Sequence, residues 1–330
     1  MNEPLPGMRR KSEGRTVTEA DIVQFAAVTR DFSRLHTDAD YGARSVFGRR
    51  VGHGLLGLAI AEGLLARAAA WPGIVGAWDW TFSGAFFSGD TLYVEAEVIE
   101  RRPFLGSSIL IERVLVRNGE TVIQVGRHAV ALAPCDGLDF WFAAFAQTPF
   151  PAFDPQLVTP LEAVPESTSI PEAHEETGVF FEDLAPGSCF TTPAITLSDY
   201  DVSAFLGLVG DPDPWFQDRT LARRADLTGS PIPPLFGLTL VEGLKYALAP
   251  ARGVGIPMAS LSWRWRHERA LARFSTLTVD ATIVGRRAST SKHDRGVVLQ
   301  SIALRQLNGP IFQTGQHLQM LRRRPPDPPR

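Results

Sequence analysis

The chain has 330 residues, 44% of them hydrophobic and 21% charged, an ordinary globular composition with material for two domains of average size. Its 33 Lys+Arg stand against 36 Asp+Glu, a formal net charge of −3, so no bulk basic field marks a nucleic-acid partner. Two cysteines in unrelated contexts, Cys135 and Cys189, argue against a disulfide framework and against a zinc site of paired thiols.

Residues 1–15 lack the apolar run of a secretory signal. The most apolar stretch, 55–71, is interrupted by Glu62 and Arg67 and is too short to span a bilayer. A soluble, cytoplasmic protein with no membrane partner is expected. Only Lys11, Lys245 and Lys292 are lysines; the dominance of arginine points to a GC-rich genome before it points to a phosphate clamp.

In chain order, Thr18 followed by acidic residues predicts an N-capped helix reaching about residue 29. A polar loop, a short helix and a long apolar helix over 54–70 follow. Alternating segments at 91–99, 107–117 and 121–132 predict strands, the last two joined through Asn118-Gly119, a strong tight-hairpin signal. Residues 134–178 are rich in proline and read as a connector, with Phe140, Trp141, Phe142 and Phe145 expected to pack between the flanking parts. Ser198 then opens a helix to about 209, a long apolar helix covers 236–249, and strands surround Asn308-Gly309.

The second set repeats the first. At an offset of 180, residues 17–38 lie over 197–218 without a gap, pairing Asp21 with Asp201, Phe25 with Phe205 and Asp31 with Asp211. Residues 91–102 meet 276–287 at 185, and 124–132 meet 313–321 at 189. The expected organisation is a domain over 1–133, a connector over 134–178 and a second copy over 179–330. One long helix followed by an antiparallel meander that wraps it describes an α+β hot-dog fold. Two copies side by side would close each other's open sheet edges as a double hot dog.

Duplication supplies an internal control. His128 and His317 are equivalent and read as structural, as do Glu62 and Glu242 within the two long helices. His36, by contrast, faces Phe216, and His53-Gly54 faces Pro233-Pro234. The second copy thus loses both imidazoles and, because proline has no N–H, the backbone donors at the helix start.

The string Asp31, His36, Asp38, Tyr41, Phe47, Gly48, His53 and Gly54 resembles the signature of the MaoC-like dehydratases, specifically the (R)-specific enoyl-CoA hydratases. Ser33 and Arg34 stand where that family usually has Asn-Pro, which bears on loop geometry. The resemblance implies that Asp31 and His36 are a catalytic acid/base dyad holding one water, which adds across the double bond of a trans-2-enoyl thioester. It further implies an acyl-CoA substrate and an (R)-3-hydroxyacyl product. The Gly54 N–H is the oxyanion donor it suggests, with His53, Ser33, Tyr41 and Phe47 as further substrate-binding positions. His53 could equally orient the helix start, and Asp31 could simply cap the next turn.

No G-x-G-x-x-G follows a strand, no G-x-S-x-G occurs, and His174-Glu175-Glu176 has no second histidine, so neither a metal nor another cofactor is expected. A hot-dog thioesterase and a non-catalytic acyl-CoA-binding protein are the alternatives. Trp215, Phe216, Phe236 and the aromatic connector are candidates for the wall of an acyl tunnel. Whether the carrier is CoA or an acyl carrier protein stays open, as does assembly into a homodimer of pseudo-dimers.

Overall fold

The computed structural model describes residues 4–68, 71, 73–132, 144–145, 179–224, 231–247 and 256–325. Most of the predicted connector, including Phe140, Trp141 and Phe142, lies outside them, as does Cys135. Phe145 is described: it is fully buried, and its ring lies against Gly76, where any Cβ would collide with it.

After β1 (Arg9–Lys11) and β2 (Arg15–Thr16), helix α1 (Glu19–Thr29) begins with a capping box in which Thr18 and Asp21 exchange bonds with each other's backbone N–H. Short helices α2 (Arg34–Thr37) and α3 (Ala39–Arg44) lead to the long apolar α4 (Gly54–Ala68). The meander is β3 (Gly73–Phe82), β4 (Thr91–Phe104), β5 (Ser107–Asn118) and β6 (Thr121–Leu132). The second half repeats this order: β7 (Cys189–Thr191), β8 (Ile195–Thr196), α5 (Asp199–Val209), α6 (Pro214–Gln217), α7 (Arg219–Arg224) and α8 (Pro234–Ala247). Strands β9 (Pro257–His267), β10 (Thr276–Ala288), β11 (Arg295–Gln306) and β12 (Ile311–Arg322) complete it. The Ser198/Asp201 capping box reproduces that of Thr18/Asp21.

All twelve strands belong to one antiparallel sheet, in the path β1-β4-β5-β6-β3-β9-β12-β11-β10-β7, with β2 and β8 on β4 and β10. Each long helix is wrapped by its own meander, and the architecture is the double hot dog. The predicted elements omit β3 and β9, which are the two strands that join the halves. They pair with Trp78 opposite Trp265 and Trp80 opposite Trp263, and all four indoles are buried. Asp79 binds Arg264 across the seam at 3.1 Å and Arg127 of β6 at 2.5 Å. Pairing β3 with β9 removes the edge that each meander would otherwise expose. No helix among the described residues is long and apolar enough to cross a membrane.

The helices pack so closely across the halves that each needs a glycine. A Cβ at Gly63 of α4 would collide with the Val209 carbonyl, and one at Gly243 of α8 with the Thr29 carbonyl. Gly243 would also come within 2.7 Å of the Asp31 nitrogen. Each long helix thus rests on the loop that follows the other half's first helix.

His128 and Glu62 do have a structural role. Glu62 accepts from Trp78 Nε1 and His128 Nδ1, both at 2.8 Å, while His128 Nε2 binds Glu112, itself held by Arg10 at 2.5 Å. Burial works against the imidazolium, but the Glu62 and Glu112 carboxylates outweigh it and raise the His128 pKa to about 9. Because the folded value exceeds the ordinary 6.5, the native state holds an extra proton between the two. That contribution, on the order of 3 kcal/mol, is complete below the unfolded value and lost as pH rises through about 9. Urea denaturation between pH 6.5 and 10 is expected to show this alkaline loss, and His128→Gln to flatten it. An equal slope in the variant would remove His128 from the cause.

Candidate active site

A cavity of about 230 Å³ opens beside the start of α4 and is lined by residues of both halves. Asp31, Ser33, His36, Phe47, His53 and Gly54 all border it, so six of the seven expected site residues converge. Tyr41 does not. It stands on α3, whose cap Asp38 accepts the Tyr41 N–H, and its ring lies 4.6 Å from the Arg34 guanidinium.

The loop after α1 places the dyad. Asp31 is buried, and its Oδ1 accepts the Ser33 N–H at 3.2 Å, so the side chain caps the following turn with one oxygen and keeps the other. The second half makes the same turn, with the Asp213 N–H donating to Asp211 at 2.9 Å. Ser33 and its counterpart Asp213 thus make the turn in the same way, through the backbone N–H. His36 is fixed by the chain's return: the Val51 N–H donates to the Leu35 carbonyl, and His36 Nδ1–H donates to the Val51 carbonyl at 2.7 Å. With its proton at Nδ1, the imidazole offers a lone pair at Nε2.

His53, fully buried, donates from Nε2 to the Asp31 carbonyl at 3.0 Å and stacks on His36 with centroids 3.7 Å apart. It holds both dyad members in place, which favours the orienting role over direct substrate contact. Gly54 begins α4, where first-turn N–H groups have no acceptor within the helix. A Cβ there would come within 3.0 Å of the Phe82 ring.

Burial raises the Asp31 carboxyl above the usual carboxylate range, opposed by the nearby His36, the Ser33 N–H and Lys245. Burial lowers the His36 imidazole, opposed by Asp31 and the bond to Val51. Burial and the adjacent His36 push His53 well below the ordinary value. The two dyad members, normally far apart in basicity, are thus drawn together.

Asp31, His36 and His53 each bring one ligand atom within 4.8 Å of the others. Two imidazoles and a carboxylate are also the donor types of a divalent-metal site. Hydrogen bonds of about 2.8 Å let one water bridge acceptors up to roughly 5.6 Å apart, so atoms within 4.8 Å of one another are in reach of a shared water.

The counterpart in the second half is a cavity of about 70 Å³, where Asp211 faces Phe216 and Pro233-Pro234 replaces His53-Gly54. Phe216 fills that smaller space, Trp215 packs on the core and Phe236 stacks on Phe205 at 4.6 Å. None of these three lines the dyad's cavity, so they are not its wall. The wall comes instead from residues sequence reasoning did not assign to it: Phe82–Phe86 of the first half, and Glu242, Tyr246, Ser260, Trp263 and Gln319 of the second.

Residues 2–115 match the model of the MaoC-like domain. Over 116 residues the chain is 30% identical to an (R)-specific enoyl-CoA hydratase of Aeromonas caviae, covering 85% of that protein and 35% of this chain. The chain belongs to the MaoC-like dehydratase family. A 3-hydroxybutyryl-CoA dehydratase of Methylorubrum extorquens is 28% identical over 123 residues, which cover 78% of it and 36% of this chain. Protein MaoC of Klebsiella aerogenes is 38% identical over 94 residues, only 28% of either length. These sequence matches cover about a third of the chain or less, whereas fold similarity covers nearly all of it. A MaoC-domain protein of Chloroflexus aurantiacus superposes with a TM-score of 0.76 at 15% identity, over 97% of this chain and 96% of that one. A double-hotdog protein of Mycobacterium tuberculosis gives 0.71 at 17% identity, over 97% of each chain. A MaoC-like family member thus has its family motif at one end of a fold shared along its whole length.

Proposed function

We propose that this MaoC-like protein is a hydro-lyase that adds water reversibly to trans-2-enoyl-CoA thioesters, giving (R)-3-hydroxyacyl-CoA. The observation that carries the reading is the His36 tautomer: Nδ1–H is committed to Val51, leaving Nε2 and the second Asp31 oxygen as two acceptors for one water in the cavity that both residues line. Such a water donates a hydrogen to each and points its lone pairs at C3. Its oxygen forms the new bond to C3, one proton passes to the dyad, and the π pair moves to C2 and onto the thioester oxygen as an enolate. The Gly54 N–H, at the positive end of α4, faces that oxygen. The dyad then returns the proton to C2 on the same face. Because burial raises Asp31 and lowers His36, either member can hold the proton in transit.

Crotonyl-CoA is the first substrate to test, because a short unbranched chain fits most acyl pockets. Loss of enoyl absorbance with product oxidised only by an (R)-specific 3-hydroxyacyl-CoA dehydrogenase is expected. Product seen only by the (S)-specific enzyme, or release of free thiol without loss of the enoyl group, would overturn the assignment.

A further inference from the structure

The wall that the second half presents to the dyad's cavity is polar, and apart from Glu242, whose counterpart is Glu62, its polar groups have apolar counterparts in the first half. Ser260, Tyr246 and Gln319 border the cavity, and Lys245 lies behind them. Their counterparts by strand register and helix position are Val75, Ala66, Val130 and Leu65. Val75 and Ala66 line the smaller, degenerate cavity. A scaffold that needed these polar groups for folding would show them in both halves.

Lys245 sets the hydrogen-bond directions. It is fully buried, and Nζ touches three acceptors: Glu242 at 2.9 Å, Gln300 Oε1 at 3.1 Å and His317 Nδ1 at 3.0 Å. Three acceptors match the three N–H bonds of an ammonium. His317 Nδ1 is then an acceptor, which leaves its proton on Nε2, and Nε2–H donates to Ser260 Oγ at 2.9 Å. The Ser260 hydroxyl, with its acceptor role taken, has its own proton left for the cavity. Beside it, Trp263 Nε1 is buried with no acceptor among the described residues, whereas the equivalent Trp78 N–H is bound by Glu62. Glu242, engaged by Lys245 and Tyr246, also borders the cavity.

We infer that this wall recognises an uncharged oxygen, a hydroxyl or a carbonyl, on the acyl group of the substrate, with Ser260 as the donor. A hydroxyl fits best, because it can accept from Ser260 and donate to the Glu242 carboxylate. A carboxylate on the acyl group is disfavoured: it would join Asp31 and Glu242 around a single ammonium in a cavity with little water. The inference rests on the enoyl-CoA reading of the site and adds the class of acyl group to it.

Equilibrium binding separates the two. Butyryl-, 4-hydroxybutyryl- and succinyl-CoA have the same acyl backbone and none can be hydrated, so calorimetric dissociation constants report recognition alone. The full chain is expected to bind 4-hydroxybutyryl-CoA about tenfold more tightly than butyryl-CoA, the worth of one buried hydrogen bond. Ser260→Ala, and Ser260→Val, which installs the first half's own residue, should abolish that preference. Equal affinity for the first two ligands, a preference that survives S260A, or tightest binding of succinyl-CoA would each overturn the inference while leaving crotonyl-CoA hydration to stand on its own assay. Failure to bind any of the three would overturn both.

Discussion

Asp31→Asn and His36→Ala are each expected to lower kcat for enoyl-CoA hydration by about 10²–10⁴-fold, the usual worth of a positioned acid/base group. Neither change should unfold the protein. The amide oxygen of the first variant can still accept the Ser33 N–H that shapes the turn, and His36 is only half-buried, with one bond to the Val51 carbonyl. Asp211→Asn provides the control. Asp211 makes the same turn, but Phe216 and Pro233 leave it no partner with which to hold water, so turnover should stay near that of the wild type. Retention of more than about a tenth of wild-type activity in either dyad variant would remove that residue from the mechanism. A comparable loss at Asp31 and Asp211 would mean two working sites.

The pH dependence carries the same logic. Burial lowers His36, so the base stays neutral to below the ordinary imidazole range, and burial raises Asp31, so its protonation begins above the usual carboxylate range. The acid limb of kcat/KM is therefore expected between the ordinary carboxylate and the ordinary imidazole ranges, with activity lost as pH falls through it.

Much of this was legible in the residues because the chain contains its own comparison. The 180-residue offset locates both first helices, their N-caps and both long helices, and the exchange of His36 for Phe216 singles out the half to which the proposed chemistry is assigned. Strands β3 and β9 escaped because their pattern answers to the seam: Trp78 and Trp80 alternate with Asp79, whose charge is matched by Arg264 from the other half. The wall residues escaped for a related reason. Ser260 and Tyr246 sit about 200 residues from Asp31 in sequence; Tyr246 reaches its cavity on α8, which crosses beneath the Asp31 loop at Gly243, and Ser260 on β9, which pairs with β3 across the seam. Tyr41 shows the converse: the family resemblance placed it in the site, yet its ring packs against the Arg34 guanidinium and does not line the cavity.

That crossing yields the last expected result. Gly243→Ala adds a methyl group where the Thr29 carbonyl already stands, 2.7 Å from the Asp31 nitrogen, so the helix or the loop must shift. Overpacking of this kind costs about 1–3 kcal/mol, partly offset by the roughly 1 kcal/mol that alanine gains over glycine within a helix. The larger effect should be on turnover, because a displacement of about 1 Å at a reacting group can cost about 10²-fold. Gly63→Ala is the matched control. Gly63 meets the Val209 carbonyl in the equivalent crossing, about two and a half turns along α4 from Gly54 and beside the cavity that lacks the histidine, so the packing penalty is alike and the Asp31 loop is not touched. Denaturation midpoints should fall similarly in the two variants, while kcat falls only in Gly243→Ala. Equal kcat in both, with both destabilised, would show that the Asp31 loop absorbs the shift without moving the carboxylate.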